Sequence, residues 1–386
     1  MNKILYIGTL YGSALLQFLL MPLFVEVVGK ASFGEYIFYF TIVNWLAFAS
    51  TLGTQTKIRQ LFVLGELKKL KVAILISFSF TFTVAILSFF FLFFYLNYSI
   101  AVVIILVLLT IATSYISLVN AFLIADDKIF SSALNQLFFS VIPVGVYLIL
   151  CMYFTLSYST RFVLSITLAF FILYKYYSYF SVAFFNAKIK AEDFRASVKD
   201  NVKIGVNSLF DKIISQGDKL AVGWIFGFEV LAIYAIGSQI SNVLQMTLKA
   251  FFIFLEQKIF KKSEGVLSEL LLSLFISLII CFLIYMVINS FFLVLFDEEY
   301  LYVLNILPFQ FVIVYLRSIS GVQFTMDLVS EQHKRNVIVQ YFFLILVLIY
   351  IYTDYRNMDI ILFVKIMALM SLLSNVTNFS LRWLKK

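Results

Sequence analysis

A chain of 386 residues that is 63% hydrophobic and only 13% charged lies far from soluble domains, which are roughly 45–50% apolar and about 25% charged. With 46 Phe in addition, a water-soluble fold is excluded. The net charge of +8 raises nucleic acid as a partner, and the placement of that charge along the chain removes it again.

Apolar runs of about 20 residues, the length that crosses a bilayer core, recur along the chain between short charged clusters. Cutting at those clusters predicts spans at 5–28, 34–56, 70–95, 98–122, 129–154 and 160–185, then at 202–224, 229–256, 266–292, 300–323, 336–353 and 358–383. The expected fold class is an all-α integral membrane protein of twelve transmembrane helices, arranged as two six-helix lobes at 1–190 and 200–386. The first run lacks a basic leader and a small-residue cleavage site and is longer than a signal-peptide core, so it reads as a retained first helix. Cys151 and Cys281 each fall inside an apolar run, which suits packing and gives neither a disulfide framework nor a metal cluster.

In the sixth span Lys175 is surrounded by Tyr174, Tyr176, Tyr177 and Tyr179, a pattern that offers cation–π contacts and stacking faces for sugars as readily as an interfacial aromatic belt. The seventh span is the most polar of the set. Its Asn207, Asp211, Ser215 and Asp218 fall on one helical stripe, with Lys212 and Lys219 running alongside, so this helix is expected to line the interior. Lys249 follows in the eighth span. The tenth places Gln310, Arg317 and Ser320 on one face below Pro308, where a kink is expected, and a planar Arg fork suits phosphate oxygens. The only histidine, His333, is expected in a loop beside Lys334 and Arg335, and the twelfth span carries Lys365.

Orientation follows from the loops, because basic residues are retained on the cytoplasmic side. One alternating set, from Lys3 through the clusters at 57–71 and 188–203 to Lys385 and Lys386, holds twenty Lys and Arg; the other holds only Lys30, Arg161 and Arg356, with Asp297, Glu298 and Glu299 together in one of its loops. Both termini are therefore expected in the cytoplasm. The same asymmetry accounts for the net charge and removes nucleic acid as a partner. Six basic residues remain within the spans: Lys175, Lys212, Lys219, Lys249, Arg317 and Lys365. Each costs about 2.5–3.5 kcal/mol at a helix centre, so an aqueous cavity, a partner, or snorkelling near a helix end must compensate it. Against them stand Asp211 and Asp218, which either neutralise the neighbouring lysines or form a titrating, ion-coupling pair. The excess favours an anionic passenger.

Two stretches look alike. Gly29 to Tyr36, continuing to Asn44, and Gly227 to Tyr234, continuing to Asn242, repeat Gly, Tyr and Asn at one constant offset. Each joins the first and second helices of a six-helix half, and an even helix count leaves the halves in the same orientation. That is the parallel-repeat architecture of transporters, with a binding site expected near the midplane between the halves.

Catalytic constellations are absent from the sequence. His333 has no partner for a metal site or a triad, and no phosphate-binding Gly-Lys-Ser/Thr loop occurs. No metal and no cofactor are expected. A membrane-embedded polymerase or glycosyltransferase of surface glycans is the alternative enzyme class, and the short outer loops leave it little room to hold sugars.

The segments Tyr11-Gly12, Met21-Pro22-Leu23 and Gly29 with Gly34-Glu35-Tyr36, together with Asp218-Lys219-Leu220-Ala221-Val222-Gly223 and Gly227, Glu229 and Tyr234, resemble the polysaccharide transporters that flip polyprenyl-diphosphate-linked repeat units. These O-antigen flippases stand in a superfamily with multidrug-and-toxin extruders and lipid II flippases, and the resemblance runs the whole length. It implies a multi-pass protein of the bacterial inner membrane that is not an enzyme. By alternating access it would carry an undecaprenyl-diphosphate-linked oligosaccharide among membrane lipids, with the polysaccharide polymerase machinery as a further partner. The spans leave no room for the two extra helices of lipid II flippases. A multidrug antiporter of the same superfamily predicts a more acidic interior.

Overall fold

The computed structural model describes residues 2–51, 54, 58, 61–62, 66–95, 98–126, 128–176, 216–260, 266–329, 333–354 and 358–383. Among the described residues the helices are, in chain order, α1 (Asn2–Val28), α2 (Lys30–Thr51), α3 (Leu67–Phe90), α4 (Ile100–Ala125), α5 (Ile129–Cys151) and α6 (Ser159–Lys175), then α7 (described at 216–226). They continue with α8 (Phe228–Phe260), α9 (Val266–Leu295), α10 (Tyr302–Val329), α11 (His333–Asp354) and α12 (Ile360–Trp383). Helix α3 runs on into a π-helical turn at Phe91–Tyr95, and a single 3₁₀ turn at Glu298–Tyr300 precedes α10. No strand occurs among the described residues.

Long apolar sequence without breakers favours helix, and a bilayer demands it, because every backbone donor and acceptor must be satisfied within the segment. Six stretches among the described residues are long and apolar enough to cross a membrane: Lys69–Phe94, Ile100–Ile124, Phe130–Cys151, Leu274–Leu295, Glu298–Ser320 and Ile360–Leu381. The chain is a multi-pass membrane protein. Helix α9 shows what the lipid-facing extreme looks like, since Phe275, Phe282, Leu283, Val287, Phe291 and Val294 are all exposed. Helix α10 runs through Pro308 without a break.

Charged residues mark helix ends less well than apolar runs suggest. His333 is the first residue of α11, so it opens a helix together with Lys334 and Arg335 where a loop is expected from the sequence. Arg161 likewise stands inside α6. A helix continues past the point where its hydrophobicity stops, because backbone hydrogen bonding does not require apolar side chains.

The chain divides into two compact units, Met1–Ala221 and Val222–Lys386. In the first, α2 packs on α3 and α4, α4 on α5 and α6, α5 on α6, and α1 on α5. In the second, α8 packs on α9 and α10, α10 on α11 and α12, and α11 on α12. The pairing of α2 with α3 and α4, α4 with α5 and α6, and α5 with α6 thus recurs as α8 with α9 and α10, α10 with α11 and α12, and α11 with α12. The buried centre of the first unit is formed by Leu70, Ile74, Leu118 and Phe122 of α3 and α4 with Ile58 and Leu61, and by Ala112, Ile116, Ala169 and Ile172 between α4 and α6. In the second unit Leu231, Ile236, Val303, Leu307, Phe363 and Val364 are buried on α8, α10 and α12.

The repeat is sharpest at two glycines. Gly29 alone joins α1 to α2 with φ +85°, and Gly227 alone joins α7 to α8 with φ +84°. This left-handed turn is open to glycine and strained for other residues. In each case the glycine carbonyl accepts the N–H four residues on, at 2.9 Å from Phe33 and 3.1 Å from Leu231. The repeated Gly, Tyr and Asn of the sequence are therefore one helix restart built twice.

Candidate functional site

In the first unit the sharp restart at Gly29 folds the end of α1 against the start of α2. Phe24 meets Phe33 at 5.9 Å and Tyr36 at 5.2 Å, both edge to face, and Tyr147 of α5 at 5.4 Å. Tyr36 stacks on Phe162 of α6 at 5.0 Å. Into this cluster α6 delivers Arg161, whose guanidinium carbon lies 4.4 Å from the Tyr36 ring centre and 5.0 Å from that of Phe24. Rings attract a cation through their negative faces and more strongly where water is scarce. Phe24 and Tyr36 are both 2% exposed, so Arg161 is held against a dry wall.

A carboxylate stands nearby. The Tyr39 hydroxyl donates to Glu35 Oε1 at 3.1 Å, and the Tyr39 ring meets Tyr98 at 5.3 Å and Tyr158 at 6.4 Å. Tyr158 lies in the connection ahead of α6, where burial, reinforced by the Glu35 charge, raises its hydroxyl above the ordinary tyrosine range. It therefore remains a protonated donor toward Glu35. Tyr147 closes the same end by donating its hydroxyl to the Leu156 carbonyl at 3.1 Å.

Deeper in this unit the polar contacts are small hydroxyls. Ser50 of α2 and Ser114 of α4 are 2.6 Å apart, as are Thr54 and Ser77 of α3, and all four are buried. The hydroxyl between packed helices fixes their register without introducing charge. In the second unit amides take that role. Gln310 of α10, 3% exposed, donates to the Tyr234 carbonyl of α8 at 3.0 Å, lying so close to Gly237 that a Cβ there would collide with its amide. Asn375 of α12 donates to the Leu316 carbonyl at 3.2 Å and accepts from Ser320 at 3.0 Å. Gln310 and Ser320, two members of the stripe seen in the sequence, thus spend their polarity on helix packing.

The cationic residues expected to bind substrate are spread over both units. Lys175 closes α6, exposed, with its ammonium 5.3 Å from the Tyr176 ring centre, while Tyr174 is 84% exposed. Asp218 is buried, its carboxylate accepting the Lys219 backbone N–H at 2.8 Å, and Lys219 is half-buried. Arg317 is half-buried on α10, and Lys365 is exposed on α12 with its ammonium 5.4 Å from the Phe309 ring centre. Ten residues separate Lys365 from Asn375, which bonds beside Arg317, so these two cations lie at depths about 15 Å apart along α12. Lys249 is in α8 with its side chain outside the description, and Asp211 and Lys212 fall outside the described residues.

The group that sequence reading passes over is the Arg161 cluster. Its only signal was a lone cation among three on the sparsely charged side of the loops, and nothing in the local sequence shows that Phe24, Tyr36 and Tyr147 converge on it.

Comparison with known proteins gives three results. A family profile described as polysaccharide biosynthesis protein matches residues 1–253. No curated protein matches by sequence. Solved structures match over nearly the whole chain. A mutant of a Vibrio cholerae MATE transporter is 13% identical, with a TM-score of 0.67, covering 99% of this chain and 94% of that one. An inward-facing multidrug resistance MATE family transporter of the MOP superfamily is 12% identical, with a TM-score of 0.63, covering 96% and 94%. An outward-facing one is 14% identical at 0.60, covering 100% and 94%. At such identities the likeness is one of fold.

Proposed function

Because this chain belongs to the polysaccharide biosynthesis protein family, we propose that it is a flippase that carries polyprenyl-diphosphate-linked oligosaccharide from the cytoplasmic to the outer face of the bacterial inner membrane. The observation that carries the reading is the doubled unit: one helix-packing pattern and one left-handed glycine restart, each built twice. Parallel repeats of this kind serve alternating access in transporters, and membership of a polysaccharide biosynthesis family supports a glycan as the cargo. The product would serve O-antigen, lipopolysaccharide or capsule synthesis.

In this reading twelve spans cross the membrane with both termini in the cytoplasm, as lobes 1–190 and 200–386. Lys175, Lys212, Lys219, Lys249, Arg317 and Lys365 neutralise the diphosphate during crossing, and Tyr174 offers its ring to sugar. Asp211 and Asp218 couple an ion. The chain performs no bond chemistry itself and hands its cargo to the polymerase machinery. With the cytoplasm negative, moving two negative charges outward across about 100 mV is favourable by roughly 4–5 kcal/mol, which gives the transport its direction.

The test is deletion of the gene. Loss of surface polysaccharide with lipid-linked repeat units accumulating on the cytoplasmic face supports the flippase. Single repeat units appearing outside would make it a polymerase, and normal polysaccharide with altered drug sensitivity would make it an antiporter.

A further inference from the structure

We propose that Arg161 is a binding site for a phosphate oxyanion at the outer end of the N-terminal unit. The inference rests on the transporter reading for one point only, the assignment of that end to the outer face, and it names a station that the cavity cations do not include.

The guanidinium carries one charge and five N–H donors. The Tyr36 and Phe24 rings, at 4.4 and 5.0 Å, answer the charge but accept none of the donors in the manner of an oxygen. Among the described residues no carboxylate, carbonyl or hydroxyl is hydrogen-bonded or ion-paired to the guanidinium. Glu35, the carboxylate of this cluster, is engaged by Tyr39 and makes no ion pair with Arg161. None of the Arg161 nitrogens is among the buried unpartnered atoms, so the donors not taken by the chain are open to an acceptor from outside it.

The position is also rigid. Tyr36 stacks on Phe40 at 5.9 Å and on Phe162 at 5.0 Å, and Phe24 is held by Tyr147. Three helices thus fix the cation before any ligand arrives, which lowers the cost of binding. An Arg fork meets two phosphate oxygens at once. At a membrane boundary, the oxyanions carried on lipid are the phosphodiester of an anionic phospholipid and the diphosphate of a prenyl-linked cargo, and both present this chemistry.

The experiment uses the purified full-length chain and phenylglyoxal, which modifies accessible guanidinium groups, with labelling read peptide by peptide by mass spectrometry. Arg161 is labelled alone, with farnesyl diphosphate, and in nanodiscs of phosphatidylglycerol or of phosphatidylcholine. At least a tenfold slowing at Arg161 by farnesyl diphosphate supports a site for the cargo diphosphate; the same slowing by phosphatidylglycerol but not phosphatidylcholine supports a headgroup site. Equal labelling in all conditions overturns the proposal, as does a failure to label without ligand, since a site closed to a small dicarbonyl is closed to phosphate. Read by direct titration of the purified variant, binding of the protecting probe should weaken by about ten- to a hundredfold in Arg161→Gln, the loss expected for a charged hydrogen bond. Arg161→Lys, which keeps the charge over the rings but not the fork, should fall between. Unchanged affinity in Arg161→Gln also overturns it. No transport step enters, so export failing in cells while protection holds would sink the flippase reading alone.

Discussion

Helices α6 and α12 stand at matching places in the packing of their units and end their first turns in opposite ways. In the first unit, Tyr158 precedes α6 and makes no side-chain cap, and Arg161 in the first turn reaches across to rings on α1 and α2. In the second, Asp359 precedes α12 and turns back on its own helix, accepting the Leu362 N–H at 2.6 Å. A cation at a helix start works against the helix dipole and an anion works with it. The second unit thus has the arrangement that stabilises the helix, and the first has in its place a cation aimed at its neighbours. A duplicated fold preserves backbone and packing, and its side chains at helix ends are where the copies are free to part.

The largest expected effect contrasts the two units as carriers of charge. Arg317 is half-buried in the second unit, whereas Lys175 is exposed at the end of α6 in the first. Arg317→Ala should reduce export by about ten- to a hundredfold if its fork binds diphosphate, with insertion and folding unchanged. Lys175→Ala should cost less, since an exposed ammonium is already hydrated. Export assays in a deletion strain, normalised to protein in the membrane, make the comparison, and an unchanged Arg317→Ala removes it from the substrate path.

Next comes a position where the two units hold residues of opposite size. At the offset of 198 residues that relates Gly29 to Gly227, Tyr39 of the first unit corresponds to Gly237 of the second. Gly237→Ala drives a Cβ into the Gln310 amide and displaces it from the Tyr234 carbonyl, leaving a buried amide group to find a new partner. The expected loss is about 1–3 kcal/mol, visible as earlier thermal unfolding in detergent. Adding Gln310→Ala should recover part of that loss.

What the sequence discloses follows from which forces are local. The Gly29 and Gly227 restarts are legible because a left-handed turn needs glycine at one position and the flanking helices need their own short-range pattern. Helix positions are legible because apolar run length carries them. The Ser50–Ser114 contact, between residues 64 apart, leaves no trace, since a serine does not interrupt an apolar run. Arg161 is misleading for a related reason: a window reading sees a charge at the edge of a run and assigns it to water, whereas its surroundings are supplied by three other helices. Asp218 was marked by its stripe, and its burial came only with the fold.

The two glycines give a test of symmetry. Their φ values are +85° and +84°, and a Cβ would meet nothing within 4 Å at either position, so alanine there is opposed by backbone strain alone. Gly29→Ala and Gly227→Ala should each destabilise by about 1–2 kcal/mol, and by nearly the same amount. Unequal shifts in unfolding temperature would mean that the restarts differ in what they hold together, and the repeat would then be one of shape without equal energetics.

The smallest effect is the most direct probe of the divergence between α6 and α12. Asp359→Ala removes the acceptor for the Leu362 N–H and should cost about 1 kcal/mol, the usual worth of an N-cap, without altering export. The companion change, Tyr158→Asp, places a carboxylate beside Arg161 without installing a cap, because residue 158 has helical φ −60° and ψ −20° where a capping side chain needs extended backbone. It also removes the Tyr158 ring from Tyr39 and Phe162, so it should lower thermal stability while supplying the anion that Arg161 otherwise takes from outside. Loss of phosphate protection in this variant is the expected outcome. Protection left intact would show that Arg161 does not take its anion at this end of α6.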